Sequence, residues 1–345
     1  MDPPYGYLLR KTLNRLMVVV GAATLEFFIF RVLSIIIYGR DLFEQFASRL
    51  VALNPAQAFE DPLAVWVAAG PADEPLIPNK LVRYLMGLFT GRFGYSIAGR
   101  PIIEEINDRL FNTLLLGFTS LAVAVGLGVF LGLHAATNRR RGRLITYMAV
   151  LSYSTPSFIL GFILIYTLAF LPRVVWGVTL FPLPPNTPGP PLALNIGPLK
   201  LPIPSPETLW NIALPVAALS LTGFGVWAYL MRQLILSETT QDYALTALAK
   251  GLPETRVLSR HIARNTIGPL VAALAMAIPG ILNGSVIIEI IFSYNGLGYY
   301  IYYSMLNGDY LAVQAAIFIY AVLLSVALLI SDILLALVDP RVRLR

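Results

Sequence analysis

The sequence predicts an all-α, polytopic membrane protein with six transmembrane helices, and three observations carry that reading. Of its 345 residues, 57% are hydrophobic and only 13% charged, with a mean hydropathy of +0.71, far from the balance of a soluble domain. Six windows stay apolar for more than about 18 residues, the length at which a helix crosses a hydrocarbon layer roughly 30 Å thick. They are Leu16–Tyr38, Thr113–Ala136, Ile145–Leu171, Leu209–Met231, Ile267–Phe292 and Leu311–Val338. The short loops between them are charged asymmetrically. Arg10, Lys11, Arg15, Arg139, Arg140, Arg141, Arg143, Arg232, Lys250, Arg256, Arg260, Arg264, Arg341, Arg343 and Arg345 fall on one side, against Arg173 and Lys200 on the other. Segments above about 60 residues translocate largely regardless of charge, so residues 39–112 do not enter this comparison. The expected protein is a multi-pass component of the cell membrane with both termini in the cytosol.

The net charge of +6 is no sign of nucleic acid, because the arginines stand beside apolar spans, where membrane orientation accounts for them. A cleavable signal peptide is the rival reading of the first span; the span is too long and lacks a small-residue cleavage site. The chain then divides into an N-terminal segment with the first span (1–38), an external segment (39–112) and a five-helix core (113–345).

Within the external segment, Leu81, Tyr84, Leu85 and Leu88 recur at i, i+3, i+4 and i+7, and Ile102, Ile103, Ile106 and Leu110 repeat the pattern. Both predict amphipathic helices lying on the membrane or across the outer ends of the spans. The third span carries Ser152, Ser154, Thr155, Pro156 and Ser157, a polar cluster with a helix-kinking proline. Residues 182–206 hold ten prolines in 25 positions, which predicts an extended, stiff loop. The fourth span contains Pro215 and a weak point at Gly223-Phe224-Gly225.

Candidate chemistry is sparse. There is no cysteine, and His134 and His261 are the two histidines, neither with an acidic partner at helical spacing. No GxxxxGK[ST] stretch is present, so a phosphate-cradling nucleotide site of that type is absent from the chain. The protein is expected to be no enzyme, with no catalytic, metal or cofactor-binding residues of its own. Three acids, Glu26, Glu289 and Asp332, fall inside spans, where carboxylates make function the default reading. They keep open a second hypothesis, a proton-coupled secondary transporter working through Glu26 or Glu289. Polar residues of the third to fifth spans, Ser152, Ser154, Thr155, Ser220, Thr222, Asn283 and Ser285, are candidates to line a path; helix–helix hydrogen bonding is the alternative use of such groups.

The longest polar interruption on the basic side is Ser237–Asn265. Helix formers fill 240–250, Gly251 suits a left-handed helix stop, and Pro253 with Glu254 suits the first turn of another helix. Two short helices meeting at a Gly-Leu-Pro corner make a compact cytosolic knob.

DYALTALAKGL (Asp242–Leu252) followed by RHIARNTIGP (Arg260–Pro269) resembles the coupling loop of ABC importer permeases of the oligopeptide, dipeptide and nickel group. In that group the loop reads D-Y-x-x-T-A-x-A-K-G-L, then R-H-x-x-R-N-x-x-x-P. Leu245 stands where the family usually has a charged residue. FGYSI (93–97), RLFNT (109–113), EIIFSYNGLG (289–298), NGDY (307–310) and DPRVR (339–343) are similar to further family signatures in the same order. The long external segment resembles that of the B-type subunit.

The resemblance implies a type I importer permease fold that moves a solute from an external binding protein to the cytosol. Oligo- or dipeptides come first as cargo, then oligosaccharides, with nickel possible. It implies a second, related permease as partner, two ATPase subunits that hold ATP and its Mg, and a surrounding lipid membrane. It assigns ATPase coupling to the 237–266 loop, through Asp242, Tyr243, Ala244, Thr246, Ala247, Ala249, Lys250, Gly251, Leu252, Glu254, Arg260 and His261. Small Ala244, Ala247 and Gly251 would let the partner approach closely.

Overall fold

The computed structural model describes residues 4–39, 41, 48, 52, 75–137, 139–186, 192–196, 199–253 and 256–338. These are helical apart from loops and one two-stranded ribbon. The chain falls into two compact units, Met1–Asn112 with Gly296–Asp332, and Thr113–Asn295 with Ile333–Arg345. Among the described residues, five helices are long and apolar enough to cross a membrane: Leu9–Tyr38, Ile102–Thr137, Ser157–Trp176, Pro206–Thr239 and Tyr310–Leu337.

In the first unit, α1 covers residues 4–38 and includes a π-helical turn, Phe28–Val32. It stops at Gly39, whose φ of +71° lets its N–H return to the Ile35 carbonyl at 2.9 Å. Helix α2 (Leu81–Phe89) follows the predicted stripe, with Tyr84 and Leu88 buried and Leu81 and Leu85 half-buried. Helix α3 (Ile102–Thr137) is a single 36-residue helix, so the stripe at 102–110 is the start of the second span and not a separate element. Ile102 and Ile106 face the core, while Ile103 is turned outward. These groups pack with Phe27, Phe93, Leu297, Tyr300, Ala312, Ala315 and Phe318 into one cluster.

Four acids of this unit are tied to other elements. Glu26 is buried and accepts a hydrogen bond from the Tyr84 hydroxyl at 3.2 Å. Asp332 pairs with Lys11 at 3.1 Å and Arg15 at 2.8 Å. Glu105 accepts from the Tyr300 hydroxyl at 2.6 Å and the Ser96 hydroxyl at 3.4 Å, and the Arg109 guanidinium lies 4.4 Å over the Tyr300 ring. Asp309 caps the last helix by accepting from Ala312 N–H at 3.2 Å, and its other oxygen accepts Ile97 N–H at 2.7 Å. Residues of the sequence signatures at 93–97, 109–113 and 307–310, with Leu297 at the end of 289–298, thus contribute to this polar and apolar junction.

The second unit continues along α3 into α4 (Arg139–Ser154) and α5 (Ser157–Trp176). The expected span Ile145–Leu171 is corrected here. Pro156 has ψ of 132°, an extended conformation, so the helix breaks outright instead of kinking, and the crossing segment starts at Ser157. The proline-rich stretch is extended but also paired: β1 (Leu192–Ile196) runs antiparallel to β2 (Leu199–Ile203), with Leu194 opposite Leu201. Asn186 anchors the preceding loop through its N–H to Phe292 O (3.0 Å) and its side chain to Asn211 O (2.8 Å).

Helix α6 (Pro206–Thr239) is capped by the Ser205 side chain and passes through Pro215 unbroken. The expected weak point at 223–225 is instead a packing seam. A Cβ at Gly225 would lie 2.1 Å from the Ala149 carbonyl oxygen of α4, and Ser152 of α4 donates to Leu221 O at 2.6 Å. Short helices α7 (Asp242–Ala249) and α8 (residues 257–265) follow. The expected span Ile267–Phe292 is two helices, α9 (Ile267–Ala277) and α10 (Gly280–Ile291). Ile278 and Pro279 keep helical dihedrals between them, so this is a kink made by a proline that has no N–H to offer. The fully buried Glu289 of α10 lies beside Ile288, Phe292 and Tyr294. Helices α11 (Leu297–Asn307) and α12 (Tyr310–Val338), the last described elements, belong to the first unit as far as Asp332.

Two outcomes are expected. Gly225→Leu forces a side chain onto the α4 backbone and should abolish recovery of folded chain from membranes, whereas Gly126→Leu, which meets nothing within 4 Å, should not. Burial, reinforced by Glu105, raises the Asp309 carboxyl to about 6 despite its two N–H donors. A carboxyl raised in the fold contributes stability that is complete below its unfolded value near 4 and lost as pH rises through about 6. The thermal stability of the native chain relative to Asp309→Asn should therefore fall between about pH 4 and pH 7, by on the order of 3 kcal/mol.

Candidate functional site

The knob forms as two helices on the end of α6. That helix runs to Thr239, about two turns past the apolar window that defines its span. Thr240 closes it, Gln241 turns extended (ψ 148°), and α7 begins at Asp242, whose carboxylate stands in the electropositive first turn. At the other end Gly251 takes φ +79°. Its N–H donates to Leu248 O at 2.9 Å and that of Leu252 to Ala247 O at 3.3 Å, the paired bonds of a Schellman stop. The carbonyl of Pro253 then accepts from Arg256 and Val257, opening α8.

Ala244 and Ala247 face inward, onto Met231 and Ile235 of α6, Leu133 and Ala136 of α3, and Val257 and Ile262 of α8. Their small size therefore sets how closely α7 seats on its own chain. The expectation that they form the surface offered to a partner is corrected accordingly. Tyr243 locks the seat from the side: its hydroxyl donates to Glu238 Oε2 at 2.6 Å, and Asn265 hydrogen bonds to it. Beside α7 lies a half-open cavity of about 280 Å³ lined by Ala136, Thr137, Thr239, Ala244, Leu248, Val257, Leu258 and Ile262, with Leu248 exposed at its edge.

The outward face of α7 consists of Asp242, Leu245, Thr246, Leu248, Ala249 and Lys250, with Gly251 at its end. Leu245 is 53% exposed and Leu248 39%, so a polar loop presents two leucines to its surroundings. Neither was singled out from the sequence as a contact. The signal was available in the register, since alanines at i and i+3 fix the buried side and leave the larger residues outside. Arg256 and Arg264 are exposed, Leu252 is half-buried, Arg260 and His261 lie on α8, and Glu254 falls outside the described residues.

The path candidates do not converge on one cavity. Ser152 is spent between α4 and α6, since it also accepts from Gly225 N–H at 3.3 Å. Ser220 is buried and donates back to Ala217 O, Thr222 and Thr155 bond carbonyls of their own helices, and Ser285 is buried. Ser154 is exposed at the α4–α5 break, and Asn283 lies on α10. A different cavity of about 150 Å³ sits where α3 and α6 meet the Pro279 kink, lined by Gly117, Ser120, Leu121, Ala124, Leu219, Gly223, Trp227, Ala277, Gly280 and Ile281. The Ser120 hydroxyl on its wall is buried without a hydrogen-bond partner among the described residues.

Residues 124–344 match the family model described as binding-protein-dependent transport system inner membrane component. Similar chains include the dipeptide transport system permease protein DppB of Lactococcus lactis subsp. cremoris (strain MG1363), 32% identical over 289 residues, 82% of this chain and 86% of that one. The oligopeptide transport system permease protein AppB of Bacillus subtilis (strain 168) is 33% identical over 266 residues, covering 76% of this chain and 79% of that one. The glutathione transport system permease protein GsiC of Escherichia coli (strain K12) is 30% identical over 274 residues, covering 79% and 81%.

Proposed function

Because this chain belongs to the family of binding-protein-dependent transport system inner membrane components, we propose that it imports peptides and is driven through the outward face of α7. As an ABC importer permease it is a multi-pass membrane subunit and no enzyme; ATP hydrolysis lies with partner ATPases, and solute arrives on a binding protein. The peptide reading is supported by relatives named for dipeptide, oligopeptide and glutathione transport, which favours it over oligosaccharide cargo. The family membership displaces a proton-coupled carrier, and Glu26, hydrogen bonded to Tyr84, serves helix packing. A second, related permease completes the pathway, and both termini lie in the cytosol with the knob.

The single observation behind the coupling reading is a short helix with exposed leucines, seated on alanines. A helix laid in a groove of a partner needs apolar anchors at i and i+3 on its outer face, and Leu245 and Leu248 supply them. Lys250, Arg256 and Arg264 around them suit an acidic rim. Force applied to α7 passes into α6 and α3 because Ala244, Ala247, Met231, Ile235 and Leu133 are packed as one cluster. Contact alone shifts nothing, so the ATPase must favour one permease state over another, as ATP-driven closure of two such subunits would do.

Leu245→Asp should abolish peptide uptake and co-purification of the ATPase while leaving the level of membrane-inserted chain unchanged. Retained co-purification would overturn the assignment of α7 as the docking element. Gly251→Leu should impair uptake through backbone strain of about 1–2 kcal/mol, since no atom lies within 4 Å of a Cβ there. Gly251→Asn, which tolerates the left-handed conformation, should retain most of it.

A further inference from the structure

Two helices of the first unit carry a measure of membrane depth. At one end Lys11 and Arg15 of α1 hold Asp332 of α12. At the other, α1 closes at Tyr38 and α12 opens at Tyr310, the residue type that settles at a membrane interface. At about 1.5 Å per residue, Arg15 to Tyr38 and Asp332 to Tyr310 each span roughly 33–35 Å, close to the ~30 Å of a hydrocarbon layer. On the same scale Glu26 lies about 16 Å from the ion pair and Phe318 about 21 Å from it.

Those two levels are where α2 is attached. Tyr84 reaches Glu26 with its hydroxyl at 3.2 Å and Phe27 with its ring at 5.5 Å, while Phe89 meets Phe318 edge-on at 5.4 Å. Helix tilt shortens both depths by similar factors and keeps both inside the layer. Beyond α2 the chain climbs, with Phe93 still beside Phe318 (6.3 Å) and Ile97 level with Asp309 at the end of α12. The long stem of Arg92 lets its charge reach upward along this climb.

The surface of α2 agrees with that depth. Its inner face buries Tyr84 and Leu88, and its outer face shows Val82, Met86 and Phe89 at 45%, 64% and 47% exposure. Arg83, the one charged residue of α2, is half-buried and engaged; the other residues are apolar on both faces, which suits a place between protein and hydrocarbon more than a water surface. Its C-terminal carbonyls are satisfied internally, by Thr90 N–H to Met86 O, Gly91 N–H to Leu88 O and Arg92 N–H to Gly87 O, as a helix end within lipid requires.

We propose that α2 is a re-entrant helix lodged within the hydrocarbon layer across α1 and α12, with Val82, Met86 and Phe89 against lipid acyl chains. The sequence alone placed it among external elements. The proposal rests on the chain being membrane-embedded and is independent of cargo and coupling.

The chain has no cysteine, so a nitroxide can be put on Met86→Cys or Val82→Cys of the full-length chain. It is then assembled with thiol-free partner subunits in lipid nanodiscs. Spin relaxation by oxygen and by a water-soluble nickel chelate is compared with Val326→Cys on α12 and Arg141→Cys at the start of α4. Both α2 labels should match Val326→Cys, with oxygen dominant and the nickel effect lost. Nickel relaxation equal to that at Arg141→Cys would overturn the proposal by placing α2 in water. Shielding from both reagents would overturn it by placing a protein partner on this face.

Discussion

Helices immersed in hydrocarbon gain little by hiding leucine from lipid, so what joins them must be close approach and hydrogen bonding at small residues. That constraint recurs throughout the second unit. A Cβ at Gly128 would lie 2.3 Å from the Trp227 Cβ, one at Gly132 would lie 2.7 Å from the Ala228 carbonyl oxygen, and Gly225 rests on the backbone of α4. Ser152 adds the polar half of the same device by bonding the α6 backbone at Leu221 and Gly225. The knob follows the rule one step outward: Ala244 and Ala247 seat α7, and Leu245 and Leu248 stay exposed.

The first unit solves a different problem, how to hold charged groups inside apolar surroundings. Each has a partner of matched chemistry: Glu26 with Tyr84, Asp332 with Lys11 and Arg15, Glu105 with Tyr300 and Ser96, Asp309 with two backbone N–H groups. A carboxylate left alone in such a place would cost several kcal/mol, so each pair fixes the helices that supply it. The acids that suggest proton transfer when seen singly become ties between elements distant in sequence.

Proline divides the helices by its conformation. Pro215 is carried inside α6, Pro279 kinks α9 against α10 with helical dihedrals kept, and Pro156 ends α4 in an extended turn. The missing N–H is common to all three. Whether the chain bends, breaks or passes straight on depends on what packs around each one, which composition does not encode.

By itself the sequence determined the class of protein, the course of most spans, the helix stop at Gly251 and the family, because these rest on local quantities. Apolar length, charge near span ends, a glycine at a helix terminus and an ordered string of short motifs all survive in one dimension. Tertiary structure alone decided which face of α7 is exposed, that Glu26 answers Tyr84, and that the signatures around residues 93–97, 109–113 and 307–310 meet. Each depends on the orientation of helices separated by tens or hundreds of residues, and that orientation is set by side-chain fit between them. Periodicity can say that a helix has two faces; only its neighbours settle where each face looks.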